Sequence, residues 1–280
     1  MFTLNCNGKL LVIDKPIVMG IINATPDSFY PGSRIQHTDD ILYKAENMLN
    51  DGAVILDVGG QSTRPGSEQV GAEEELKRVI PAIEAITKNF PKALISVDTF
   101  YASVLKAAVE AGANIANDVS AGSIDDELLP MVASLKVPYV LMHMKGHPQT
   151  MQMNPVYDNV VTEVFDALNI KKQELKQSGI NDIIIDPGFG FGKTIQHNFQ
   201  LLKGLSFFKE MEAPLLVGVS RKSTVYKTLQ VTPEEALNGT TVLHTIALLN
   251  GASILRVHDV KEACEAIRLV NEYLKYEEQF

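Results

Sequence analysis

The chain has 280 residues, of which 45% are hydrophobic and 21% charged, a composition typical of a globular protein with a sizeable core. Its formal net charge of −9 disfavours a nucleic-acid-binding role, because such proteins more often carry a basic face. No apolar run reaches the roughly 20 residues that a membrane helix needs, and the N-terminus lacks the pattern of a secretory signal. Cys6 and Cys264 have no metal-like spacing, so we expect two free thiols in a reducing cytoplasm.

The N-terminal segment predicts a β-hairpin over residues 1–14. Two short runs, 2–5 and 9–13, flank Asn7-Gly8, a dipeptide that favours a two-residue hairpin turn. We expect this hairpin to close the bottom of the fold that follows. No linker, repeat or low-complexity segment interrupts the sequence, so residues 1–280 are predicted to form a single domain.

From residue 17 onward, apolar runs of strand length alternate with helical patterns. Strands are predicted near residues 17–22, 54–58, 93–98, 114–118, 138–143, 183–186, 215–220 and 253–257. Helices are predicted over residues 39–50, 72–89, 102–111, 125–135, 156–177, 233–250 and 260–276. Most of the strands are apolar on both faces, as in parallel strands covered by helices. The predicted fold class is α/β, a (β/α)8 TIM barrel with an N-terminal β-hairpin.

Polar residues mark several predicted helix starts. Thr232-Pro233-Glu234-Glu235 places a cap, a first-turn proline and acidic residues in order. For Asp57 and Asp259, each taken alone, capping of the following helix is the preferred interpretation. Ser223 is expected to open a helix, either as a plain cap or next to backbone N–H groups that favour a carboxylate.

Polar side chains also stand at the C-terminal ends of the predicted strands. The clearest is Asp186, where an apolar run passes directly into the glycine-rich stretch PGFGFGKT. A buried carboxylate is costly unless it meets a partner, so this position suggests ligand binding. The pattern recurs at Asp98, Asn117, Lys222, Arg256 and His258. Polar groups from many strand ends on one rim are typical of an enzyme built on a (β/α) barrel.

Two clusters of these residues suit different chemistry. Asp186 can accept two N–H groups from an aminopyrimidinone edge, and Lys222 can donate to a ring carbonyl or nitrogen. The remaining hydrogen-bonding groups around such a flat heterocycle would be Asp98 and Asn117. A second cluster suits an anion: Arg256 and His258 can hold phosphate oxygens, while the carbonyl oxygen of Asn23 can ligate a hard cation such as Mg²⁺.

The loops after the first two strands, 24–34 and 59–70, are rich in Gly, Pro, Ser and Thr, so we expect them to be exposed and mobile. They nevertheless carry Phe29, Arg64 and Pro65, an aromatic ring, a cation and a rigid apolar group. Two such loops beside a ligand rim are typical of a lid.

Other motifs fit the sequence poorly. The glycine-rich stretch is not a P-loop, because Pro187 occupies the position five residues before Gly192 where that motif needs glycine. It also fails as a dinucleotide-binding fingerprint, since Lys193 stands where the third glycine belongs. His143 and His147 are interpreted as structural, because the glycine and proline around them break any helix that could align them for a metal.

The motifs that carry these residues resemble those of the bacterial dihydropteroate synthase family, in the same order and over nearly the whole chain. They are MGIINATPDSF, LDVGGQSTRPG, ISVDTF, ANDVSAG, VLMHMKGHPQTMQ, IIDPGFGFGKT, GVSRKS and RVHDV. The resemblance implies a (β/α)8 barrel, a homodimer and a requirement for Mg²⁺. It implies an enzyme of folate biosynthesis that condenses 6-hydroxymethyl-7,8-dihydropterin diphosphate with p-aminobenzoate, giving 7,8-dihydropteroate and pyrophosphate.

The resemblance also assigns site residues. The pterin would be bound by Asp98, Asn117, Asp186 and Lys222. The diphosphate would be bound by Asn23, Thr63, Arg64, Arg256 and His258, with Asn23 as the metal ligand. The p-aminobenzoate site, which sulfonamides also occupy, would comprise Phe29, Thr63, Pro65, Phe191 and Ser223. Catalytic roles would fall to Arg256, His258 and Lys222, and the partners would be small molecules. Apart from the resemblance, the apolar sequence near residues 241–249 predicts either the dimer interface or a helix packed on the barrel.

Two positions depart from the family's usual pattern. Pro31 replaces the first-loop aspartate, and Gln61 stands where a glutamate is general. The change at Pro31 alone supports one alternative, a non-catalytic pterin-binding relative, although the intact diphosphate residues count against it. A methyltetrahydrofolate:corrinoid methyltransferase is a second, but that family lacks the TPDSF and STRPG loops and the SRKS element. A Schiff-base aldolase using Lys222 is a third, although an adjacent Arg221 does not by itself make a lysine nucleophilic.

Overall fold

The structure is a computed structural model that describes residues 1–24, 34–61, 70–146, 151 and 155–276, with the backbone alone for 34–37. The strands of this part of the chain are β1 (Phe2–Cys6), β2 (Lys9–Ile13), β3 (Ile17–Asn23), β4 (Ile55–Gly59), β5 (Leu94–Asp98), β6 (Ile115–Asp118), β7 (Tyr139–Met142), β8 (Ile183–Asp186), β9 (Leu216–Val217) and β10 (Ile254–Val257). The α-helices are α1 (Arg34–Asp51), α2 (Ala72–Asn89), α3 (Ala102–Ala111), α4 (Leu128–Leu135), α5 (Val160–Gln177), α6 (Ile195–Lys203), α7 (Ser223–Leu229), α8 (Leu237–Leu249) and α9 (Val260–Leu274). A 3₁₀ helix spans Leu205–Met211.

Strands β3 to β10 form one parallel sheet in the order β8-β7-β6-β5-β4-β3-β10-β9. A parallel bridge joins Ile185 of β8 to Leu215, the residue before β9. The sheet therefore returns on itself as a nearly closed barrel with helices between its strands. The prediction of a (β/α)8 TIM barrel is confirmed, and all C-terminal strand ends lie on one rim.

The N-terminal hairpin closes the opposite end. Strands β1 and β2 pair antiparallel from Phe2–Ile13 to Cys6–Lys9. The hairpin residues Leu4, Cys6, Leu11 and Ile13 share one buried cluster with Ile17, Ile55, Leu94, Ile115, Ile184 and Ile254 from the first halves of the barrel strands. The prediction that the hairpin closes the bottom of the barrel, at the N-terminal ends of the strands, is confirmed. The polar residues lie at the other end of the barrel, where the strands end.

The main core lies between the sheet and the helices. Helix α2 shows how the sequence builds it: Val79, Ile83 and Ile86 are buried at the spacing of one helix face. Each fully buried side chain of this size stabilises the fold by roughly 1.5–3 kcal/mol. No helix in the described ranges is long and apolar enough to cross a membrane.

Two predicted helices begin later than expected, because polar side chains near the predicted starts accept hydrogen bonds from backbone N–H groups. Helix α4 begins at Leu128, since the Asp125 carboxylate accepts from the backbone N–H groups of Ala102 and Glu127 at 2.8 and 3.0 Å. Helix α5 begins after Asn159, whose side chain accepts from the first-turn amides.

The predicted start of the last but one helix at residue 233 is wrong. Helix α8 begins at Leu237, and residues 233–235 form a turn before it. The Arg221 guanidinium accounts for the difference, because its Nη1 donates to the carbonyl oxygens of Pro233 and Glu234 at 2.9 and 2.6 Å. Because these carbonyl oxygens bind the Arg221 side chain, they do not accept the backbone hydrogen bonds of a helix that starts at residue 233.

Candidate active site

The rim at the C-terminal strand ends collects the residues that the sequence singled out. Asp98 and Asp186 are the last residues of β5 and β8, and Asn117 lies in β6. Lys222 follows β9 and occupies the N-cap position of α7, without a capping bond from its side chain. Parallel strands bring their carboxyl ends together, so these four side chains from distant parts of the chain share one rim.

A central cluster of Asp57, Asp98, Asn117 and Arg256 occupies the barrel interior below this rim. Arg256 Nε donates to Asp57 Oδ2 at 2.6 Å, and its Nη2 donates to Asp98 Oδ2 at 2.7 Å. Asn117 Nδ2 lies 3.2 and 3.1 Å from the two carboxylate oxygens of Asp57. Asp57 is completely buried. The four side chains therefore hold one another in a single hydrogen-bonded arrangement.

The preferred interpretation of Asp57 as a helix cap is wrong. Asp57 lies inside β4, two residues before its end, and its carboxylate faces Arg256 and Asn117 instead of a helix start. Asp259 does occupy the N-cap position of α9, but its side chain makes no capping bond. Its carboxylate instead forms a two-point pair with Arg221 at 2.8 Å for both bonds, a geometry that planar guanidinium groups favour.

Burial affects the pKa values of two members of the central cluster, Asp98 and Arg256. It raises the pKa of Asp98 to about 7, with Arg256 opposing the shift and Asp57 adding to it. Burial also opposes the charge of Arg256, but Asp57 and Asp98 hold the pKa of the guanidinium above its ordinary value. Arg256 therefore stays a cation, and its charge favours the ionised form of Asp98 against the burial that raises the pKa of that carboxyl.

Asp186 and Lys222 lie next to a glycine-rich turn formed by residues 187–192. Asp186 Oδ1 accepts from the backbone N–H of Gly188 at 2.7 Å. Lys222 Nζ donates to the carbonyl oxygen of Phe189 at 2.6 Å and lies 4.7 Å from the ring centroid of Phe191. Burial raises the pKa of Asp186 and lowers that of Lys222 to about 8, and each residue's charge opposes the shift of the other.

The second predicted cluster lies where β3 and β10 pair. Asn23 ends β3 and His258 follows β10, and both side chains are exposed. Ser220 Oγ accepts from the His258 backbone N–H at 3.2 Å and lies 3.0 Å from His258 Nδ1. The hydroxyl can thus donate to Nδ1, which leaves Nε2–H as a donor. The ring is exposed on one side only: protein atoms around it remove part of its hydration, and this desolvation, with the charge of nearby Arg256, lowers the pKa of His258 to about 4. The ring is therefore neutral at pH 7.

An apolar wall completes the rim. Phe191 belongs to a small buried cluster with Phe100, Val119, Met142 and Met151. Ser223 opens α7 as expected and is half-buried beside Lys222. Of the other predicted site residues, Phe29, Thr63, Arg64 and Pro65 lie outside the described residues, as do Pro31 and His147.

Sequence reasoning did not assign Asp57, Ser220 or Lys193 to the site. A carboxylate in the middle of the apolar strand VILDV was an available signal for Asp57, because such a group needs a buried partner. Ser220 carries no comparable signal, since its contact with His258 depends on how β9 and β10 pair.

Similarity to known proteins agrees with this geometry. Residues 19–258 match the family described as pterin binding enzyme. The chain is 45% identical over 273 residues to the dihydropteroate synthase of Escherichia coli, covering 97% of this chain and 96% of that protein. The Yersinia pestis dihydropteroate synthase, solved with a sulfonamide drug complex, matches with a TM-score of 0.92 at 41% identity, covering 98% and 100% of the two chains. The Xanthomonas albilineans dihydropteroate synthase with 4-aminobenzoic acid matches with a TM-score of 0.90 at 41% identity, covering 97% and 98%. The chain therefore belongs to the pterin-binding enzyme family, among its dihydropteroate synthases.

Proposed function

We propose that this enzyme condenses 6-hydroxymethyl-7,8-dihydropterin diphosphate with p-aminobenzoate, giving 7,8-dihydropteroate and pyrophosphate in folate biosynthesis. The observation that carries the proposal is a pair of carboxylates at one rim, the buried Asp186 and the largely buried Asp98, together with Lys222 and Asn117. Charged groups with so little access to water are costly unless they meet partners, and a flat pterin offers complementary N–H and carbonyl groups along one edge.

The pterin is held by its hydrogen-bonding edge. Asp186 accepts from the ring N–H and the exocyclic amine, and Lys222 donates to the ring carbonyl or nitrogen. Asn117 and Asp98 provide the remaining hydrogen-bonding groups along the same edge of the pterin. Asp186 and Lys222 orient the substrate and do not act as nucleophile or general base.

In this proposal the diphosphate group binds at the part of the rim where β3 and β10 end, and it departs from there. The neutral ring of His258 donates from Nε2, and Arg256 keeps N–H groups beyond the two that bind Asp57 and Asp98. Because the pterin is electron-rich, it supports positive charge on its methylene carbon as the C–O bond breaks. The residues that stabilise the departing negative charge are therefore Arg256 and His258.

The residues present fit a Mg²⁺ ion held mostly by substrate. Within the described ranges no three His, Cys, Asp or Glu side chains form a metal-binding group. Asn23 offers one exposed amide oxygen at the rim, and Mg²⁺ commonly keeps several waters and binds substrate phosphates with few protein ligands. The ion would neutralise charge on the diphosphate, next to the donors of His258 and Arg256.

The amine attacks the methylene carbon from the apolar wall. An aryl amine is neutral at pH 7, so it needs no strong base. Phe191 provides a ring surface for p-aminobenzoate, and we assign the Ser223 hydroxyl, at the start of α7, as a donor to the carboxylate. By the family resemblance, we assign Phe29, Thr63, Arg64 and Pro65 of the two loops to the same site. Bound sulfonamides would compete for the same place.

Synthesis by the purified protein tests the proposal. The protein is incubated with both substrates, with Mg²⁺ or with EDTA, and dihydropteroate is detected by mass. Metal-dependent product supports the proposal. Tight pterin binding without product would favour the non-catalytic alternative, and absence of both would contradict the assignment of the pocket.

We also propose a homodimer that forms through α8 and α9. Exposed apolar side chains on these helices include Val242, Ile246, Leu249, Leu269 and Tyr273. A groove of about 410 Å³ lies between the two helices. Apolar patches of this kind commonly mark protein–protein contacts. Sedimentation should give the mass of a dimer, and Leu269→Glu should give a monomer; a wild-type monomer at all concentrations would contradict the interface.

The remaining expectations concern the cellular setting. Cys6 and Cys264 are free thiols, as suits a reducing compartment, and we propose the cytoplasm. The net charge of −9 fits small-molecule partners better than nucleic acid. Localisation of a tagged chain by fractionation tests this, and recovery with the periplasmic or membrane fraction would contradict it.

A further inference from the structure

Lys193 is a buried lysine that the proposed reaction does not use. Burial lowers its pKa to about 7, and the charge of Asp186 opposes that shift. The Lys193 side chain is only 3% exposed and lies below the rim. Its ammonium contacts four acceptors: the carbonyl oxygens of Gly188, Phe191 and His143 at 2.9, 3.0 and 3.3 Å, and His143 Nδ1 at 3.0 Å. Burial and the charge of Lys193 lower the pKa of His143 to about 3, so this ring is neutral and can accept.

The glycine-rich turn packs directly on the chain that follows β7. A Cβ atom on Gly188 would lie 1.9 Å from the carbonyl oxygen of His143, and one on Gly192 would lie 2.4 Å from that of Lys145. Both glycines also have positive φ angles, 71° and 60°. This close approach brings several carbonyl oxygens together, and their dipoles repel one another unless a donor lies between them. The ammonium of Lys193 supplies that donor.

The glycine-rich turn in turn fixes Lys222. The carbonyl oxygen of Phe189 accepts from Lys222 Nζ, and the ring of Phe191 lies beneath the same ammonium. A Cβ on Gly190 would lie 3.3 Å from Lys222 Cδ, so the side chain runs along the backbone of the turn. A shift of the turn therefore moves the donor that faces the pterin.

We propose that Lys193 is a positioning residue, which clamps the glycine-rich turn to the end of β7 and thereby sets the place of Lys222 and Asp186 in the pterin pocket. The inference rests on the proposed function, because it concerns the same pocket. Lys193 does not touch substrate, since its three N–H donors face protein acceptors. Its loss leaves the pocket residues present but displaced.

The test compares Lys193→Met with Lys172→Met. Lys172 is a matched control: it is a second buried lysine, 7% exposed, whose ammonium donates to a backbone carbonyl, that of Met211, far from the rim. Three quantities are measured for each variant and the wild type: the free energy of unfolding in urea, the Kd of the pterin substrate, and kcat with KM. Binding and kinetics are measured at a temperature where both variants are folded.

We expect Lys193→Met to weaken pterin binding by about tenfold or more and to lower kcat, whereas Lys172→Met leaves both within about twofold despite a comparable loss of stability. A pterin Kd for Lys193→Met within twofold of the wild type would overturn the inference. Equal losses in the Lys172→Met protein would overturn it too, because they would reflect general destabilisation. A wild-type protein that binds no pterin would instead overturn the proposed function.

Two further variants keep the inference testable. Lys193→Arg retains the positive charge, but a planar guanidinium does not fit where the compact ammonium lies. We therefore expect this variant to bind pterin weakly. Full activity would show that charge alone matters and would overturn the inference. If Lys193→Met fails to fold, Tyr157→Phe serves in its place. The Tyr157 hydroxyl donates to the carbonyl oxygen of Gly192 at 2.9 Å from the outer side of the turn. Its loss should weaken pterin binding about threefold, and unchanged binding would count against the clamp.

Discussion

Replacement of Asp186 with asparagine tests whether this carboxylate binds the pterin edge. In the structure one carboxylate oxygen accepts from the backbone N–H of Gly188 at 2.7 Å. The asparagine side chain would keep that bond through its single carbonyl oxygen and would therefore turn its NH₂ group toward the pterin. A donor would then face the ring N–H that the carboxylate accepts. The reverse orientation would place NH₂ against the Gly188 N–H, so either orientation loses a bond.

The expected loss follows from these contacts. A hydrogen bond to a charged group contributes roughly 1.5–3 kcal/mol, and the donor–donor conflict adds to the cost of losing it. We expect a loss of about 3 kcal/mol in pterin binding, or roughly a hundredfold in Kd. Stability should change little, because burial already raises the pKa of Asp186 and so disfavours its charge.

Titration calorimetry with the pterin substrate measures this loss. Asp182→Asn is the matched control: Asp182 precedes the same strand at the closed end of the barrel, and its carboxylate accepts the backbone N–H of Asn5 at 3.0 Å. The control should bind pterin as the wild type does. A folded Asp186→Asn protein whose Kd lies within threefold of the wild type would refute the assignment of the pterin edge.

Three further predictions concern the charges around the site and in the core. Asp57→Asn should lower the free energy of unfolding in urea by about 1–3 kcal/mol and reduce turnover, because Arg256 would keep only Asp98 as an ionic partner; unchanged stability would contradict the buried pair. His258→Ala should lower kcat far more than it weakens pterin binding, and equal losses in kinetics and calorimetry would argue against a role at the leaving group. Burial lowers the pKa of His244 from 6.5 to about 4, so the stability that its neutral form contributes is present above pH 6.5 and is lost as pH falls toward 4. The full loss of stability below pH 4 is roughly 3 kcal/mol. Urea unfolding at pH 7.5 and 4.5 measures this pH dependence, and the His244→Leu protein should lose less stability between the two pH values than the wild type. An equal loss in the two proteins would contradict the assignment to His244.

Much of the fold was predictable because buried parallel strands have a recognisable sequence pattern. Apolar runs such as 183–186 end on a polar residue, and the structure has this strand with the predicted bounds. Helices α2 and α3 also begin and end where their apolar spacing predicts. Helix α6 was not predicted, since its capping partner three residues after Thr194 is His197 instead of the usual Glu or Gln.

The candidate site was predictable only where a polar group ends a strand. Asp98, Asn117, Asp186 and Lys222 reach one rim because the sheet closes. The apolar run around Asp57 signals that this carboxylate needs a buried partner, but the sequence does not identify the partner. Arg256 lies 199 positions away along the chain, and the pairing of the two follows from barrel geometry. The same holds for the clamp at Lys193, which needs the packing of the glycine-rich turn on the chain after β7.

The central claim is that the rim joins two substrates with loss of diphosphate. The most direct measurement is the stoichiometry of one reaction, in which pterin diphosphate consumed, dihydropteroate formed and pyrophosphate released are quantified together with Mg²⁺ present. With p-aminobenzoate in excess, the account predicts equal amounts of all three. Consumption of the pterin diphosphate under these conditions without an equal amount of dihydropteroate would contradict it.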